Sequence, residues 1–365
     1  MIVRTLAKGG AQVQCIALAR GLAARGHDVS IVSFYDGGAL SADAQAAGLR
    51  VWSLKKRSRW DLWGSWQRLN DLIRRQQFDV LYSFLPMENL VGLLAARLRH
   101  VPIVWGLRAA DVDKWQHGVA SWLLYTLQSW FIGCPDALIS NSHAAMREFA
   151  RRRRRVSYVI PNGVDLNRFH IDVGAGRRFR KVHDIGADEP LVGIVARLDP
   201  MKDHRTFLLA MAIVRTEHPR ARYVIAGKGT PSYTSEMQSL AKSLQLDGQT
   251  LWLGEYADTP ALFNALNVSV LCSKGEGSPN ALTEALACGR STVATDVGDC
   301  AMIIGHHGRV VRKGDPKGLA EAVVAALGDP ESCAEERHEF ACSHYAIDVA
   351  VQKTEAVLAG LVGLT

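Results

Sequence analysis

The feature that most constrains the fold is a repeated alternation of short, apolar, β-rich runs with longer amphipathic stretches. The apolar runs predict nine strands: Val29–Phe34, Val80–Phe84, Ile103–Gly106, Ala137–Ser140, Leu191–Ala196, Tyr223–Ala226, Leu251–Leu253, Val268–Cys272 and Thr292–Thr295. Helices are predicted between strands, as over Ala11–Arg25, Asp203–Glu217 and Ser232–Leu244. Strands that alternate with helices form parallel sheets, which helices cover on both faces. We therefore expect an α/β protein.

Chain length and one irregular segment indicate two domains. A chain of 365 residues corresponds to two domains at about 100–200 residues each. The segment from Asn162 to about Gly186 interrupts the alternation, because it is rich in glycine and in turn-forming residues. We predict an N-terminal domain over residues 1–165 and a C-terminal domain over residues 166–345. A last helix, at about 346–361, is expected to pack back on the first domain.

Charge is divided unevenly along the chain. Residues 1–170 hold 23 Lys and Arg against 12 Asp and Glu, whereas residues 171–365 hold 20 against 24. A basic half attracts nucleic acid, anionic membranes or phosphorylated ligands. We expect no nucleic acid partner, since no nucleic-acid-binding signature is present. No apolar run reaches 18 residues, and the seven cysteines form no Cys-x-x-Cys pair, which favours a reducing, cytoplasmic location.

Two unusual loops follow predicted strands of the second half. Ligands of open parallel sheets bind beyond the carboxyl ends of the strands. The loop after Leu191–Ala196 holds Arg197 and Lys202, whose cationic groups suit phosphate oxygens. The loop after Tyr223–Ala226 is Gly227-Lys228-Gly229, whose glycines allow a ligand to approach the backbone. Each loop alone is also compatible with solvated cations or a plain tight turn.

A third loop, after Val268–Cys272, leads into a helix. Ser278 suits the N-cap of that helix, Pro279 suits its first turn, and Gly289 suits its end. The free amides of Asn280 and Ala281 would then form an anion site, to which the helix dipole contributes.

Two carboxylates, Glu276 and Glu284, stand beside this predicted anion site. Such acids suit the hydroxyl groups of sugars, so the three loops together fit a diphosphate with a sugar on each side. Glu284 is also compatible with an ordinary helix-surface glutamate.

The chain resembles the retaining glycosyltransferases of group 1, also called family 4. The motifs that carry the resemblance span nearly the whole chain: Gly9-Gly10-Ala11-Gln12, Ser140-Asn141-Ser142, Pro161-Asn162-Gly163-Val164-Asp165, Arg197-Leu198 with Lys202, Gly227-Lys228-Gly229, and Glu276 and Glu284 with seven residues between them. The resemblance implies the GT-B architecture, in which two Rossmann-like, parallel-sheet domains face each other across a cleft.

The resemblance also implies roles for individual residues. Arg197 and Lys202 would bind the donor diphosphate, and Glu276 would hold hydroxyls of the transferred sugar; we count these three as catalytic. Glu284 would hold the ribose hydroxyls. The remaining donor-binding residues implied by the family are Gly9, Gly10, Gly227, Lys228, Gly229, Gly277, Ser278, Pro279, Asn280 and Ala281.

The implied reaction moves a sugar, with retention and without a metal ion or other cofactor, from a nucleotide-diphosphate sugar, UDP being the favoured nucleotide. The acceptor would be a glycan or lipid-linked sugar in cell-surface polysaccharide or glycolipid synthesis. Arg108, at the end of a strand, is the acceptor-side candidate, with a structural arginine as the alternative. Two other functions stay open: a nucleotide-sugar epimerase of the same fold, and a non-catalytic nucleotide-sugar-binding protein.

Three basic or tryptophan-rich segments favour peripheral contact with the inner face of the plasma membrane. They are Lys55–Arg59 with Trp60, Trp63 and Trp66, the tryptophan-rich Lys114–Gly133, and Arg151–Arg155. Cations attract anionic lipids, and tryptophan suits the membrane interface. The alternatives are packing of the tryptophans in the core and a solvated basic face.

Overall fold

The computed structural model describes residues 1–7, 9–58, 61–108, 119–149 and 156–363. The chain forms two compact units. Unit 1 comprises Met1–Gly163 and Ile347–Thr365, and unit 2 comprises Val164–Ala346. Within the described residues, no helix combines the length and the apolar character that a bilayer span requires.

The described elements alternate along the chain as strands and helices. In unit 1 they are β1 (Ile2–Val3), α1 (Gly10–Ala24), β2 (Ser30–Ser33), α2 (Ser41–Ala46), β3 (Arg50–Ser53), α3 (Leu62–Gln76), β4 (Leu81–Phe84), α4 (Pro86–Arg99), β5 (Ile103–Leu107), α5 (Val119–Trp130), β6 (Ala137–Ser140), α6 (His143–Glu148) and β7 (Val156–Val159).

Unit 2 continues the same alternation, and the last helix returns to unit 1. The elements are α7 (Val173–Val182), β8 (Leu191–Val195), a 3-10 turn (Pro200–Lys202), α8 (His204–Glu217), β9 (Arg222–Ala226), α9 (Pro231–Ser243), β10 (Thr250–Gly254), α10 (Thr259–Ala265), β11 (Val268–Leu271), α11 (Asn280–Ala287), β12 (Ser291–Thr295), α12 (Cys300–Ile304), β13 (Gly308–Val311), α13 (Pro316–Leu327), α14 (Cys333–Tyr345) and, in unit 1, α15 (Ile347–Val362).

Each unit contains one parallel sheet. The strand order is β3-β2-β1-β4-β5-β6-β7 in unit 1 and β10-β9-β8-β11-β12-β13 in unit 2. Every strand pairing among the described residues is parallel. The predicted fold class, two parallel-sheet α/β domains, is confirmed.

Apolar layers cover both faces of each sheet, as parallel sheets require. In unit 1, α15 packs directly on α1. A Cβ atom added at Gly21 would lie only 2.3 Å from Cγ2 of Val351, so glycine permits the close approach of these two helices. The C-terminal helix is therefore part of the core of unit 1.

All nine predicted strands are present among the described residues, and β1, β3, β7 and β13 are additional. β1 is a central, buried strand, but its two residues are too short for an apolar run. The other three each lie at an edge of a sheet and are only partly buried or exposed, so they lack the continuous apolar run that marks a central parallel strand.

The segment that the sequence analysis treated as irregular contains the helix α7. Asp172 caps this helix, because its side chain accepts a hydrogen bond of 2.8 Å from the amide of Ala175. Gly176 faces α10, and a Cβ atom there would lie 2.4 Å from the carbonyl oxygen of Asn264. The segment therefore contains a regular helix, and Gly176 permits its close packing on α10.

Two substitutions in α7 test this packing role. Gly176→Ala should destabilise the protein by about 1–3 kcal/mol, since the new methyl group collides with backbone of α10. Gly174→Ala is the matched control: its methyl group would lie 3.2 Å from side-chain atoms of Arg178 and Asp172 and would meet no backbone of α10. This control should lower the free energy of unfolding by less than Gly176→Ala does. Urea unfolding measures both, and equal midpoints for the two variants would contradict the packing role.

Candidate functional site

The loops after β8 and β9 run side by side at the carboxyl edge of the unit 2 sheet. The amide of Ala196 donates to the carbonyl of Ala226 at 2.9 Å, and the amide of Leu198 donates to the carbonyl of Lys228 at 3.0 Å. A Cβ atom at Gly227 would lie 1.8 Å from the carbonyl oxygen of Ala196. Gly227 is therefore required for contact between the two loops.

The loops after β8 and β11 are also linked. The amide of Lys274 donates to the carbonyl of Met201 at 2.8 Å, and the thiol of Cys272 donates to the carbonyl of Asp203 at 3.2 Å. Asp203 adopts a left-handed backbone conformation, with a φ of 49°, and its Oδ1 caps α8 by accepting from the amide of Thr206 at 3.4 Å. Its Oδ2 accepts from the hydroxyl of Thr206 at 2.8 Å. At Asp203 the chain therefore turns sharply between the loop that holds Arg197 and Lys202 and the start of α8.

Lys202 and Glu276 form an ion pair between these two linked loops. Their side chains are only 18% and 10% exposed, so the pair is shielded from water. The hydroxyl of Ser273 donates to the same carboxylate oxygen, Oε1 of Glu276, at 2.6 Å. A lysine ammonium has three N–H donors, so the Lys202 side chain keeps two donors beyond the one that Glu276 accepts.

Arg197 extends from the same loop as Lys202 into solvent. Its side chain is 76% exposed, and its Nη2 lies 3.0 Å from Oδ2 of Asp199. An exposed ion pair contributes about 0–1 kcal/mol, so the Arg197 guanidinium can leave Asp199 for another anion at little cost.

The helix α11 begins one residue later than predicted. Pro279 is its N-cap residue, with an extended backbone conformation, and no described side chain caps the helix. The prediction of Ser278 as N-cap is therefore wrong: Ser278 is buried one position earlier. The helix ends, as predicted, before Gly289, which has a φ of 72°. The amides of Asn280 and Ala281 lie in the first turn of α11.

A fourth loop, which the sequence analysis missed, packs against the loop that holds Glu276 and Gly277. It follows β12, the strand beside β11. The amide of Asp299 donates to the carbonyl of Gly277 at 3.1 Å, and a Cβ atom at Gly298 would lie 2.2 Å from the carbonyl oxygen of Glu276. The rule that identified the other loops would have identified this one, because β12 was among the predicted strands.

Glu284 lies in the second turn of α11 and is half-buried. Burial raises the pKa of its carboxyl group to about 7, while the positive charge of Arg168 opposes the shift. Sequence reasoning also missed Arg168, which precedes unit 2's first helix and belongs to no motif.

The contacts described above join the loops of unit 2 that hold Arg197 and Lys202, Gly227 to Gly229, and Glu276. Glu284 lies on α11, the helix that follows the Glu276 loop. Gly9, Gly10 and Arg108 belong to unit 1. Gly9 and Gly10 form the start of α1. The Arg108 side chain donates to the Tyr82 hydroxyl at 2.7 Å and to Oδ1 of Asn162 at 3.1 Å. Its guanidinium also lies 4.6 Å from the ring centroid of Phe84. These contacts anchor Arg108 within unit 1.

Unit 1 also exposes several large apolar side chains. Trp63 on α3 and Trp130 on α5 are each 68% exposed, and Leu94 on α4 is 63% exposed. The helix α4 packs between α3 and α5, so the three helices form one layer. Other parts of the predicted membrane-contact segments, Arg59, Trp60, 114–118 and Arg151–Arg155, lie outside the described residues.

Two family models match the chain. The model of "Glycosyltransferase Family 4" matches residues 8–168, and the model of "Glycosyl transferases group 1" matches residues 189–329. Together they cover most of the chain.

Curated relatives agree with these matches. The lipopolysaccharide core biosynthesis mannosyltransferase LpcC of Rhizobium leguminosarum is 27% identical over 301 residues, which are 80% of this chain and 81% of the relative. An Escherichia coli enzyme, UDP-Gal:alpha-D-GlcNAc-diphosphoundecaprenol alpha-1,3-galactosyltransferase, is 24% identical over 274 residues, 72% of this chain and 69% of the relative.

The fold is also that of a solved protein. Anabaena HepE, crystallised with UDP and glucose, superposes with a TM-score of 0.85 at 21% identity, over 98% of both chains. The two parallel-sheet units thus have the GT-B fold. The chain belongs to the group 1, family 4 glycosyltransferases, as its motifs predicted, and it is a glycosyltransferase.

The raised pKa of Glu284 predicts a pH-dependent stability. The folded-state pKa of about 7 lies above the ordinary glutamate value of 4.5, so the folded protein binds a proton more tightly than the unfolded chain. The contribution of Glu284 to stability should therefore be largest below pH 4.5 and fall as the pH rises through 7. At pH 8, the free energy of unfolding of Glu284→Gln should exceed that of the wild type by on the order of 3 kcal/mol.

Urea unfolding at several values between pH 5 and pH 8 measures this effect. The control is Glu321→Gln, which changes an exposed glutamate of α13. Its free energy of unfolding should have the same pH dependence as that of the wild type. A constant offset between Glu284→Gln and the wild type across this range would contradict the prediction.

Proposed function

We propose that unit 2 binds a UDP-sugar at the carboxyl edge of its sheet and that the enzyme transfers the sugar with retention to a glycan or lipid-linked acceptor. The observation that carries the proposal is the shielded Lys202–Glu276 pair, held between two hydrogen-bonded loops with Arg197 beside it. This arrangement combines cations for a diphosphate with a carboxylate for hydroxyl groups.

The donor diphosphate would lie against Arg197 and Lys202. Lys202 can keep Glu276 and still offer two N–H donors, and Arg197 can exchange Asp199 for a phosphate oxygen. Each charge-assisted hydrogen bond contributes about 1.5–3 kcal/mol. The first turn of α11, with the amides of Asn280 and Ala281, would add a partial positive charge.

The sugar and the nucleoside would lie on either side of that diphosphate. Glu276 and the neighbouring loop, Gly277 to Pro279, would contact the transferred sugar, while Glu284 would accept hydrogen bonds from the ribose hydroxyls. Gly227, Lys228 and Gly229 would lie near the nucleoside. In unit 1, Gly9 and Gly10 would contact the diphosphate, and Arg108 would serve the acceptor.

The reaction would place negative charge on the departing diphosphate. In a retaining transfer through an oxocarbenium-like transition state, that phosphate accepts the acceptor's proton on the face that it leaves. Arg197 and Lys202 would stabilise the charge where it develops. Since these two cations neutralise the leaving group, the proposed mechanism requires no metal ion.

The relatives support the choice of donor and acceptor. By its name, the Escherichia coli relative uses UDP-galactose and a lipid-diphosphate acceptor, and LpcC acts in lipopolysaccharide core synthesis. The HepE crystals contain UDP. We therefore place the reaction in cell-surface polysaccharide or glycolipid synthesis, on the cytoplasmic side of the membrane.

Replacing Arg197 tests the proposed donor site. Arg197→Ala should lower turnover by about 10²–10³-fold, the scale of a lost donor at a developing oxyanion. Asp199→Asn removes the charge beside Arg197 but keeps the side-chain oxygen that accepts from the amide of Met201 at 3.0 Å, so it should keep most of the activity. Transfer is measured with radiolabelled UDP-sugars and a lipid-linked acceptor, and unchanged turnover in Arg197→Ala would refute the assignment. Release of an epimerised sugar without acceptor would instead favour the epimerase alternative.

We further propose that the α3–α4–α5 layer of unit 1 contacts an anionic membrane. Exposed tryptophans are suited to the interface between water and lipid, and basic residues near a bilayer each contribute about 1 kcal/mol. Trp63, Leu94, Leu98 and Trp130 are all more than half exposed on these helices. A lipid-linked acceptor would be reached from such a surface.

Liposome pelleting tests this membrane contact. Replacing both Trp63 and Trp130 by Ala, or Arg151–Arg155 by Ser, should weaken binding to anionic vesicles by about tenfold or more. Val182→Ser removes a similarly exposed apolar side chain from unit 2 and should bind like the wild type. Equal pelleting of all variants, or pelleting with purely zwitterionic vesicles at the same level, would count against the proposal.

A further inference from the structure

Two histidines and a glutamate converge on the surface of unit 2, away from any motif used above. His306 and His307 lie in the turn between α12 and β13, and Glu336 lies on α14. The centroids of the two imidazole rings lie 3.9 Å apart, with the ring planes tilted by 37°. Nε2 of His306 is 3.9 Å from Oε1 of Glu336, and one side-chain ligand atom from each of the three residues lies within 4.8 Å of the others.

The backbone around this cluster is firmly held. Arg337, next to Glu336, is 7% exposed; its Nε donates to the carbonyl of His307 at 3.2 Å, and its Nη2 donates to Asp329 at 2.8 Å. Gly305, which precedes the histidines, has a φ of 56° and turns the chain at the end of α12. The turn and α14 are thus fixed relative to each other within unit 2.

Two of the three side chains, in contrast, are free to adjust. Those of His306 and Glu336 are 80% and 62% exposed. His307 is 8% exposed and its ring centroid lies 4.3 Å from that of Phe340, so His307 is the fixed ligand toward which the other two move. Ligand bonds of about 2.0–2.2 Å in a tetrahedral site place the donor atoms roughly 3.3–3.5 Å apart. Contraction from within 4.8 Å to this spacing requires movements of little more than 1 Å, which rotation of exposed side chains supplies.

We propose that His306, His307 and Glu336 form a binding site for Zn²⁺. Imidazole nitrogen with carboxylate oxygen is a donor set for zinc and neighbouring transition metals, whereas Mg²⁺ prefers oxygen ligands alone. Three protein ligands leave the fourth position to water. The bound ion joins the α12–β13 turn to α14, and α14 in turn contacts α11, where Nδ1 of His338 donates to the carbonyl of Ala287 at 2.5 Å.

Metal titration of the full-length protein, freed of any affinity tag and treated with chelator, tests the site. Calorimetry should show one Zn²⁺ bound per chain at this site, Co²⁺ should give the visible absorption of a tetrahedral complex, and Mg²⁺ should not compete. Saturating Zn²⁺ should raise the unfolding temperature, because a ligand that binds the folded state stabilises it.

Three single variants and one control decide the outcome. His306→Ala, His307→Ala and Glu336→Gln should each weaken Zn²⁺ binding by about tenfold or more. His170→Ala removes an exposed histidine elsewhere in unit 2 and should bind like the wild type. Melting without metal confirms that each variant folds. Wild-type affinity in the three variants, an equal loss in His170→Ala, or competition by Mg²⁺ would each overturn the site. None of these readouts depends on the proposed donor or on sugar transfer.

Discussion

The backbone hydrogen bonds that join the loops after β9, β8 and β11 give the candidate site its shape. Loops that carry functional side chains are usually the most mobile parts of a domain. Here the amide of Leu198 donates to the carbonyl of Lys228 in the loop after β9. The carbonyl of Met201 accepts from the amide of Lys274 in the loop after β11. The loop that holds Arg197 and Lys202 is therefore fixed from both sides, and its two cations share one edge of the sheet.

Close loop packing also explains why glycine stands at particular positions. A side chain at Gly227 would collide with the loop after β8, and one at Gly298 would collide with the backbone of Glu276. Sequence reasoning attributed the glycines at positions 227 and 229 to close approach of a ligand. The structure gives Gly227 a requirement that exists without any ligand, so its presence alone is weak support for a donor site.

Sequence periodicity predicts the centre of each sheet better than its edges. The central strands are buried on both faces and appear as unbroken apolar runs, whereas β3, β7 and β13 carry Arg50, Ser157 and Arg309 in half-exposed positions.

The prediction of Ser278 as the N-cap of α11 was wrong for a related reason. Serine and proline both suit a helix start, and local preference does not fix which residue enters the helix first. The family and its GT-B fold were predicted because the motifs span both units, while the roles of the individual site residues remain predictions.

The proposed donor supplies hydroxyl groups and negative charge together. Glu276 already has Lys202 and Ser273 as partners, so its charge is satisfied in the free protein. Glu284 is different: burial raises its pKa to about 7, which means that its charged form is poorly solvated there. Hydroxyl donors would solvate that carboxylate, and a diphosphate would meet the cations beside Glu276. A nucleotide sugar offers both groups in one molecule, whereas an inorganic anion would satisfy the cations and leave Glu284 as it is.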